Sequence, residues 1–195
     1  MNAEEALRHF LETEALLSGH FRLSSGLHSD KYLQCAKVLQ WPDRAAALGA
    51  ALGAKLAGLA IDAVVSPAMG GLIIGHEVGR ALGRRAVFAE RVDGAFTLRR
   101  GFALEADEKV VVVEDVVTTG GSTREGLSLV KTLGAVAVAC AAVVDRRGAS
   151  PAGGTETLEG LPFRSVLRME VPTWPEGDCP YCRLGQEGVS PGSRR

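Results

Sequence analysis

Four consecutive valines, Val110 to Val113, followed at once by Glu114 and Asp115, constrain the fold of this chain more than any other stretch. β-Branched apolar residues without alternation suit a short strand buried on both faces, as at the centre of a parallel sheet flanked by helices. Two carboxylates would be costly in a core. The strand is therefore expected to end at Glu114 and Asp115, on the carboxyl edge of the sheet where open α/β folds bind ligands. Val116 and Val117 lead into Thr118, Thr119, Gly120, Gly121, Ser122 and Thr123, and a helical pattern follows. Paired glycines let the backbone take left-handed conformations and approach a ligand closely, while hydroxyls and amides at a helix start converge on one anion. The expected object is a phosphate cradle beside two carboxylates. An ordinary strand-to-helix turn with a solvated acidic pair is the competing reading.

The stretch is not a Walker A loop, because no Gly-Lys-Ser/Thr follows the strand, and it lacks the G-x-G-x-x-G of a dinucleotide fold. It resembles the signature of type I phosphoribosyltransferases: apolar strand, two acidic residues, two apolar residues, then a Thr/Gly/Ser loop. The resemblance implies that Glu114 and Asp115 hold the ribose hydroxyls of phosphoribosyl pyrophosphate. It also places Val116, Val117, Thr118, Thr119, Gly120, Gly121 and Ser122 at the donor, with the loop on its 5-phosphate.

At 195 residues the chain is long enough for one domain with a substantial core, and two would be cramped. A hydrophobic fraction of 46% with 23% charged residues is that of an ordered globular protein. A net charge of -1 gives no basic field for nucleic acid or an anionic membrane. Among the basic residues Arg outnumbers Lys by 17 to 5, and Arg is the better bidentate partner for phosphate and carboxylate. The opening residues are acidic and no apolar run approaches a membrane span, so a cytoplasmic enzyme is expected. Four cysteines are too few and too scattered for a disulfide framework, and Cys35 and Cys140 read as core.

Residues 2 to 17 show amphipathic helical spacing, with Asn2 as N-cap, Glu5 three positions on, and Gly19 as the stop. The segment from His20 to Leu33 looks like a small strand pair around Ser24-Ser25-Gly26. It is similar to the N-terminal hood of orotate phosphoribosyltransferases, which implies that Ser25 lies near the base. Many members carry Lys where this chain has Ser24. A structural turn with an exposed His28 is the competing reading. Pro42 and Asp43 start an alanine-rich helix running to Ala60, in which Gly49, Gly53 and Gly58 would permit close packing on a sheet.

Asp62 to Val65 reads as a core strand entering Ser66-Pro67-Ala68-Met69-Gly70-Gly71, with a helix from about Leu72 to Leu82. This second strand, loop and helix offers a second anion site. In the resembling family it faces the pyrophosphate, which brings in Ala68, Met69 and Gly70; a tight packing turn would also use these glycines. His76 and Glu77 read as solvent-facing or capping groups rather than ligands. Ala86 to Glu90 is the next strand, and Asp93-Gly94 signals a hairpin within a long connection carrying Arg91, Arg99 and Arg100. The resemblance implies a mobile lid that closes over the neighbouring subunit and delivers cations to the pyrophosphate. Arg91 matches the first loop arginine of that family, but the Lys-rich, His-containing remainder is missing. Arg99 or Arg100 must then serve, a solvated basic hairpin being the alternative.

A helix from Ser122 to Gly134 and a buried strand from Ala135 to Val144 lead to Asp145-Arg146-Arg147-Gly148, on the same sheet edge as Asp115. An Asp-Arg here places Arg on the orotate carboxylate in the resembling family, which implies that role for Arg146; a surface arginine is the alternative. Orotate contacts are also implied for Thr118. Ser150 to Gly154 is a loop, and Phe163 to Met169 a last strand. In the tail, Cys179-Pro180-Tyr181-Cys182 could be half a zinc site or a redox pair. No second Cys or His cluster lies nearby in sequence, so a structural or weakly oxidisable pair is favoured. Trp174, the Cys-Pro-x-Cys and the closing Pro-Gly-Ser-Arg resemble one branch of prokaryotic orotate phosphoribosyltransferases.

The expectation is a type I phosphoribosyltransferase fold: 1–40 helix and hood, 41–170 an α/β core of four or five parallel strands, 171–195 a tail. The resemblance spans roughly residues 20 to 195. It implies transfer of 5-phosphoribose to orotate, with magnesium held mainly by the donor rather than by protein ligands, and a homodimer sharing its lids. Nucleic-acid and membrane partners are not expected. A sister enzyme for a purine or uracil would not need Arg146, and a donor-sensing regulator would usually add a nucleic-acid-binding part.

Overall fold

Val110 to Val113 are fully buried, because the two faces of their strand meet two different layers. In the computed structural model, which describes residues 1–23, 25–148 and 156–191, Val111 and Val113 pack with α-helical residues Phe10, Leu48, Leu52, Ile74 and Val78. Val110 and Val112 pack on the opposite side with Val130, Phe163 and Leu104. The side-chain period of two along a strand thus sets one valine pair into each layer.

The chain begins with α1 (Ala3–Glu12), β1 (Leu16–Arg22), β2 (His28–Leu33), α2 (Ala36–Leu39) and α3 (Pro42–Leu56). The core follows as β3 (Ala63–Pro67), α4 (Gly71–Leu82), β4 (Arg85–Val92), β5 (Ala95–Leu98), β6 (Lys109–Val117), α5 (Gly121–Thr132) and β7 (Val136–Asp145). Then come β8 (Thr157–Leu158), β9 (Leu161–Arg168), β10 (Thr173–Trp174) and α6 (Pro180–Arg183). Among the described residues the larger sheet has seven strands in the order β5-β4-β3-β6-β7-β9-β8. The five inner strands are parallel, and β5 and β8 add antiparallel edges. A smaller sheet, β1-β2-β10, forms the hood.

Several boundaries differ from the sequence reading. The first helix has the expected capping box, Asn2 and Glu5 exchanging two 2.9 Å hydrogen bonds, worth about 1 kcal/mol. It stops at Glu12 rather than near Gly19, because Glu14 turns into the left-handed region at φ 53° and Leu16 and Leu17 are recruited by pairing with Leu33 and Tyr32. The third helix ends at Leu56, short of Ala60. Its glycines serve helix-on-helix contact instead of contact with the sheet: a Cβ on Gly49 would lie 2.6 Å from Glu77 Cβ on α4. β3 extends through Ser66 to Pro67, and β6 continues past Glu114 and Asp115 to Val117. The connection after β4 is a β-hairpin with Asp93 and Gly94 both at positive φ, 50° and 86°, as a two-residue turn requires. Ser24, the loop from Ser150 to Gly154 and the final Gly192-Ser193-Arg194-Arg195 lie outside the described residues.

Candidate active site

The strand order reverses between β3 and β6: from β3 the chain crosses over to β4 on one side, and from β6 to β7 on the other. Helix α4 therefore covers one face and α5 the opposite one, leaving a crevice at the carboxyl ends of β3 and β6. The two loops that the sequence singles out meet there. A Cβ on Gly70 would lie 2.7 Å from Asp115 Oδ2, so only glycine lets the loop after β3 press against that carboxylate.

Glu114 is only 6% exposed, contrary to the expectation of an edge position, because β6 carries it inward before the strand ends. Its Oε1 has no hydrogen-bond partner among the described residues. Burial, reinforced by the neighbouring Asp115 charge, pushes Glu114 up to about 8. Burial also raises Asp115, opposed by backbone amides such as that of Val116, which donates to Oδ1 at 2.9 Å. Buried oxygens without partners cost free energy unless a ligand satisfies them.

Gly120 sits at φ 79°, in the left-handed region, and α5 starts at the next residue. Thr118, Thr119 and Ser122 are exposed around the helix start, with their hydroxyls available to a ligand. Thr123 is buried, and its Oγ1 is a second polar atom with no partner among the described residues. Ala68 and Met69 complete the rim at the end of β3, Met69 being largely exposed.

Residues 36–152 match the phosphoribosyl transferase domain family. The chain belongs to the phosphoribosyltransferase family. It is 47% identical over 195 residues to the orotate phosphoribosyltransferase of Pelotomaculum thermopropionicum, covering 100% of both chains. It is 51% identical over 197 residues to that of Erythrobacter litoralis, covering 100% of this chain and 99% of that one. Among solved structures it is similar to the Mycobacterium tuberculosis H37Rv orotate phosphoribosyltransferase in complex with inorganic phosphate. That likeness has a TM-score of 0.66 and 26% identity, over 85% of this chain and 95% of that one.

In this phosphoribosyltransferase the two arginines after β7 have different surroundings. Arg147 forks onto Asp145, donates to Thr157 O at 2.8 Å and stacks over Phe163 with its guanidinium 4.0 Å from the ring centre. The Arg146 N–H donates to Val117 O at 2.8 Å, so its side chain starts beside the end of β6, and among the described residues no side-chain hydrogen bond or ion pair ties it. Its Nε has no partner among the described residues, and burial lowers its pKa. Arginine remains charged there, as a partly desolvated cation.

The hairpin arginines also separate. Arg91 pairs with Glu125 on α5 at 2.7 Å and lies over Phe96, while Arg100 pairs with Glu90 at 2.9 Å. Arg99 is exposed and makes no ion pair among the described residues. Ser25 is exposed in the hood turn and accepts from Leu27 N at 3.5 Å, a long contact. Neither Arg99 nor Ser25 hydrogen-bonds to the cradle among the described residues. His76 is exposed as expected, whereas the Glu77 side chain is only 15% exposed, lies against Gly49 of α3 and accepts from Arg80 Nε at 2.8 Å.

Sequence reasoning missed the histidines. His28 is buried rather than exposed, its Nδ1 2.7 Å from His20 Nε2, and both rings meet Cys179 and Cys182. The one signal available was a pair of histidines flanking a hairpin turn in a chain that also carries Cys-x-x-Cys. Cys35 and Cys140 are buried as expected. No helix among the described residues is long and apolar enough to cross a membrane.

Proposed function

We propose that this chain transfers 5-phosphoribose from phosphoribosyl pyrophosphate to orotate, giving orotidine 5-phosphate and pyrophosphate in pyrimidine synthesis. The observation that carries the choice of base is Arg146: a half-buried guanidinium, free at Nε among the described residues, beside the end of the cradle strand. A planar fork matches a carboxylate, which orotate has and purines and uracil lack. The orotate phosphoribosyltransferases among its relatives, aligned along the full chain, support the same reading.

In this reading the ribose hydroxyls of the donor satisfy Glu114 Oε1 and Asp115 and draw both carboxylates into their charged forms. Thr118, Thr119, Gly120, Gly121 and Ser122 grip the 5-phosphate, Val116 and Val117 carry the strand to it, and Thr123 Oγ1 lies just behind. Ala68, Met69 and Gly70 face the pyrophosphate. As the anomeric bond to pyrophosphate lengthens, positive charge develops on the ribose, and Glu114 and Asp115 lie on the side where negative charge stabilises it. Arg146 and Ser25, with Thr118, orient the orotate so that its ring nitrogen meets the anomeric carbon; the rest is positioning.

Carboxylate oxygens are the hard donors that magnesium takes, so Glu114 and Asp115 fit an ion held mainly by the oxygens of the donor. Held mainly by the donor's oxygens beside these carboxylates, magnesium would neutralise charge on the departing pyrophosphate. Arg91, Arg99 and Arg100 add cations from the hairpin, reaching the site of a second subunit in a homodimer.

The test is orotate consumption, followed by ultraviolet absorbance, with phosphoribosyl pyrophosphate and magnesium, against parallel reactions with adenine, hypoxanthine, xanthine or uracil. Turnover with orotate alone is expected. Turnover of another base overturns the substrate, and donor binding without turnover moves the protein to a sensing role.

A further inference from the structure

Four side chains outside the phosphoribosyl site form a closed cluster in the hood. His20 comes from β1, His28 from β2, Cys179 from the N-cap of α6 and Cys182 from α6 itself. One nitrogen or sulfur from each lies within 4.8 Å of all the others. Cys179 Sγ is 3.4 Å and Cys182 Sγ 3.7 Å from His20 Nε2, and Cys182 Sγ is 3.2 Å from His28 Nδ1. A tetrahedral ion with metal–nitrogen distances of about 2.0–2.1 Å and metal–sulfur distances of about 2.3 Å sets such atoms about 3.3–3.8 Å apart. The two nitrogens, at 2.7 Å, need to part by about 0.6 Å to join that geometry.

We propose that His20, His28, Cys179 and Cys182 bind one zinc ion, which staples the C-terminal segment to the hood hairpin. Two thiolates and two imidazoles are a borderline-soft set that suits zinc and excludes magnesium or calcium. Four protein ligands leave no open position, and His20, His28 and Cys179 are buried, so the site is structural. The outer contacts fit as well. His20 Nδ1 lies 2.9 Å from Gln186 O; a carbonyl only accepts, so Nδ1 carries the proton and Nε2 turns its lone pair to the cluster. Both cysteines are free thiols, so neither is consumed in a disulfide.

The segment that carries the cysteines has little regular structure of its own, and apart from β10 it is joined to the hood by Ser29 Oγ donating to Pro172 O at 2.8 Å and by the Gln186 contact above. β10 contributes two residues to the hood sheet and α6 is a four-residue helix, too short to be stable alone. Besides the cluster, it docks through Tyr181 stacked on His20 at 5.4 Å and through Val189, which exchanges 2.8 Å backbone bonds with His20 and Arg22. Zinc binding would therefore appear as folding free energy of this region. The two histidines also bracket the turn that carries Ser25, so the same ion would steady that turn. The proposal does not depend on the identity of the base.

The experiment measures metal in the intact protein, purified under a reducing agent without added metal, by elemental mass spectrometry and X-ray absorption at the zinc edge. About one zinc per chain, with two sulfur and two nitrogen neighbours, is expected. Chelator should strip it, lower Tm by several degrees and expose the C-terminal segment to protease; zinc alone, and not magnesium, should restore both. Cys182→Ser should lose the ion and Cys140→Ser, in the core, should keep it. A reduced protein that neither retains nor takes up zinc overturns the proposal. So does a Cys179–Cys182 disulfide as the stable form, or zinc retained in Cys182→Ser.

Discussion

Arg147 and Asp145 form a two-pronged pair, Nε to Oδ1 at 2.9 Å and Nη2 to Oδ2 at 3.0 Å, around a carboxylate that is fully buried. The pair holds Asp145 below the usual carboxylate range even against the burial that opposes it. It also occupies the second arginine of Asp145-Arg146-Arg147, which leaves the first for a ligand. Arg146→Ala should reduce kcat/KM for orotate roughly 10- to 150-fold, the worth of a charged hydrogen bond, with Tm nearly unchanged. Arg147→Ala should instead strand Asp145 with Arg168 at 3.7 Å and lose about 3 kcal/mol of stability. Steady-state kinetics and thermal melts of both variants check this; an Arg147→Ala protein that melts normally but fails with orotate would exchange the two roles.

Gly70 faces Asp115 so closely that no side chain fits between them. At φ -59° its backbone would accept alanine, so the effect of Gly70→Ala is steric alone. The new methyl must displace the Asp115 carboxylate, and kcat/KM for phosphoribosyl pyrophosphate should fall at least about tenfold while the fold persists. Asp115→Asn, which keeps the shape and removes the charge, should lower kcat strongly. Normal turnover in either variant would remove Asp115 from the ribose.

Glu114 titrates near 8 when folded and near 4.5 as an ordinary carboxyl. Between those values the folded chain binds more protons than the unfolded one. The stability from this group is therefore whole below about pH 4.5 and lost as pH rises through about 8. The slope is at most about 1.4 kcal/mol per pH unit. Glu114→Gln should flatten the dependence between pH 6 and pH 8 in urea unfolding of the ligand-free protein. Donor hydroxyls favour the charged form, so donor binding in that range should release protons, readable by calorimetry in buffers of different ionisation enthalpy. Equal pH slopes in the two proteins would dismiss Glu114 as the titrating group.

Arg100 is held by Glu90 and Arg91 by Glu125, whereas Arg99 has no ion pair among the described residues. Arg99→Ala should therefore lower kcat more than Arg100→Ala, although an exposed pair is weak enough for Arg100 to exchange partners. If the hairpins cross between subunits, mixing the impaired Arg99→Ala and Asp115→Asn proteins should raise activity above that of either alone, since a mixed dimer holds one site free of both changes. Absence of recovery in a demonstrated mixed dimer would confine each hairpin to its own site.

Sequence alone determined what repeats locally or is spelled contiguously. Val110 to Val113 announced a strand with two buried faces, Asn2 and Glu5 a helix start, Asp93-Gly94 a hairpin, and Thr118 to Thr123 a glycine-bearing passage from strand to helix, because backbone preference and side-chain period act over neighbouring residues. Tertiary structure decided what depends on partners far along the chain. Leu16 and Leu17 left their helical spacing to pair with β2, Glu114 went inside because β6 is flanked by β3 and β7, and Arg146 was separated from Arg147 only by where Asp145, Thr157 and Phe163 lie. The cluster of His20 and His28 with Cys179 and Cys182 spans a sequence separation of up to 162 residues. Nothing local encodes that meeting; it follows from β10 pairing with β2 and Val189 with β1, which bring the end of the chain back to its beginning.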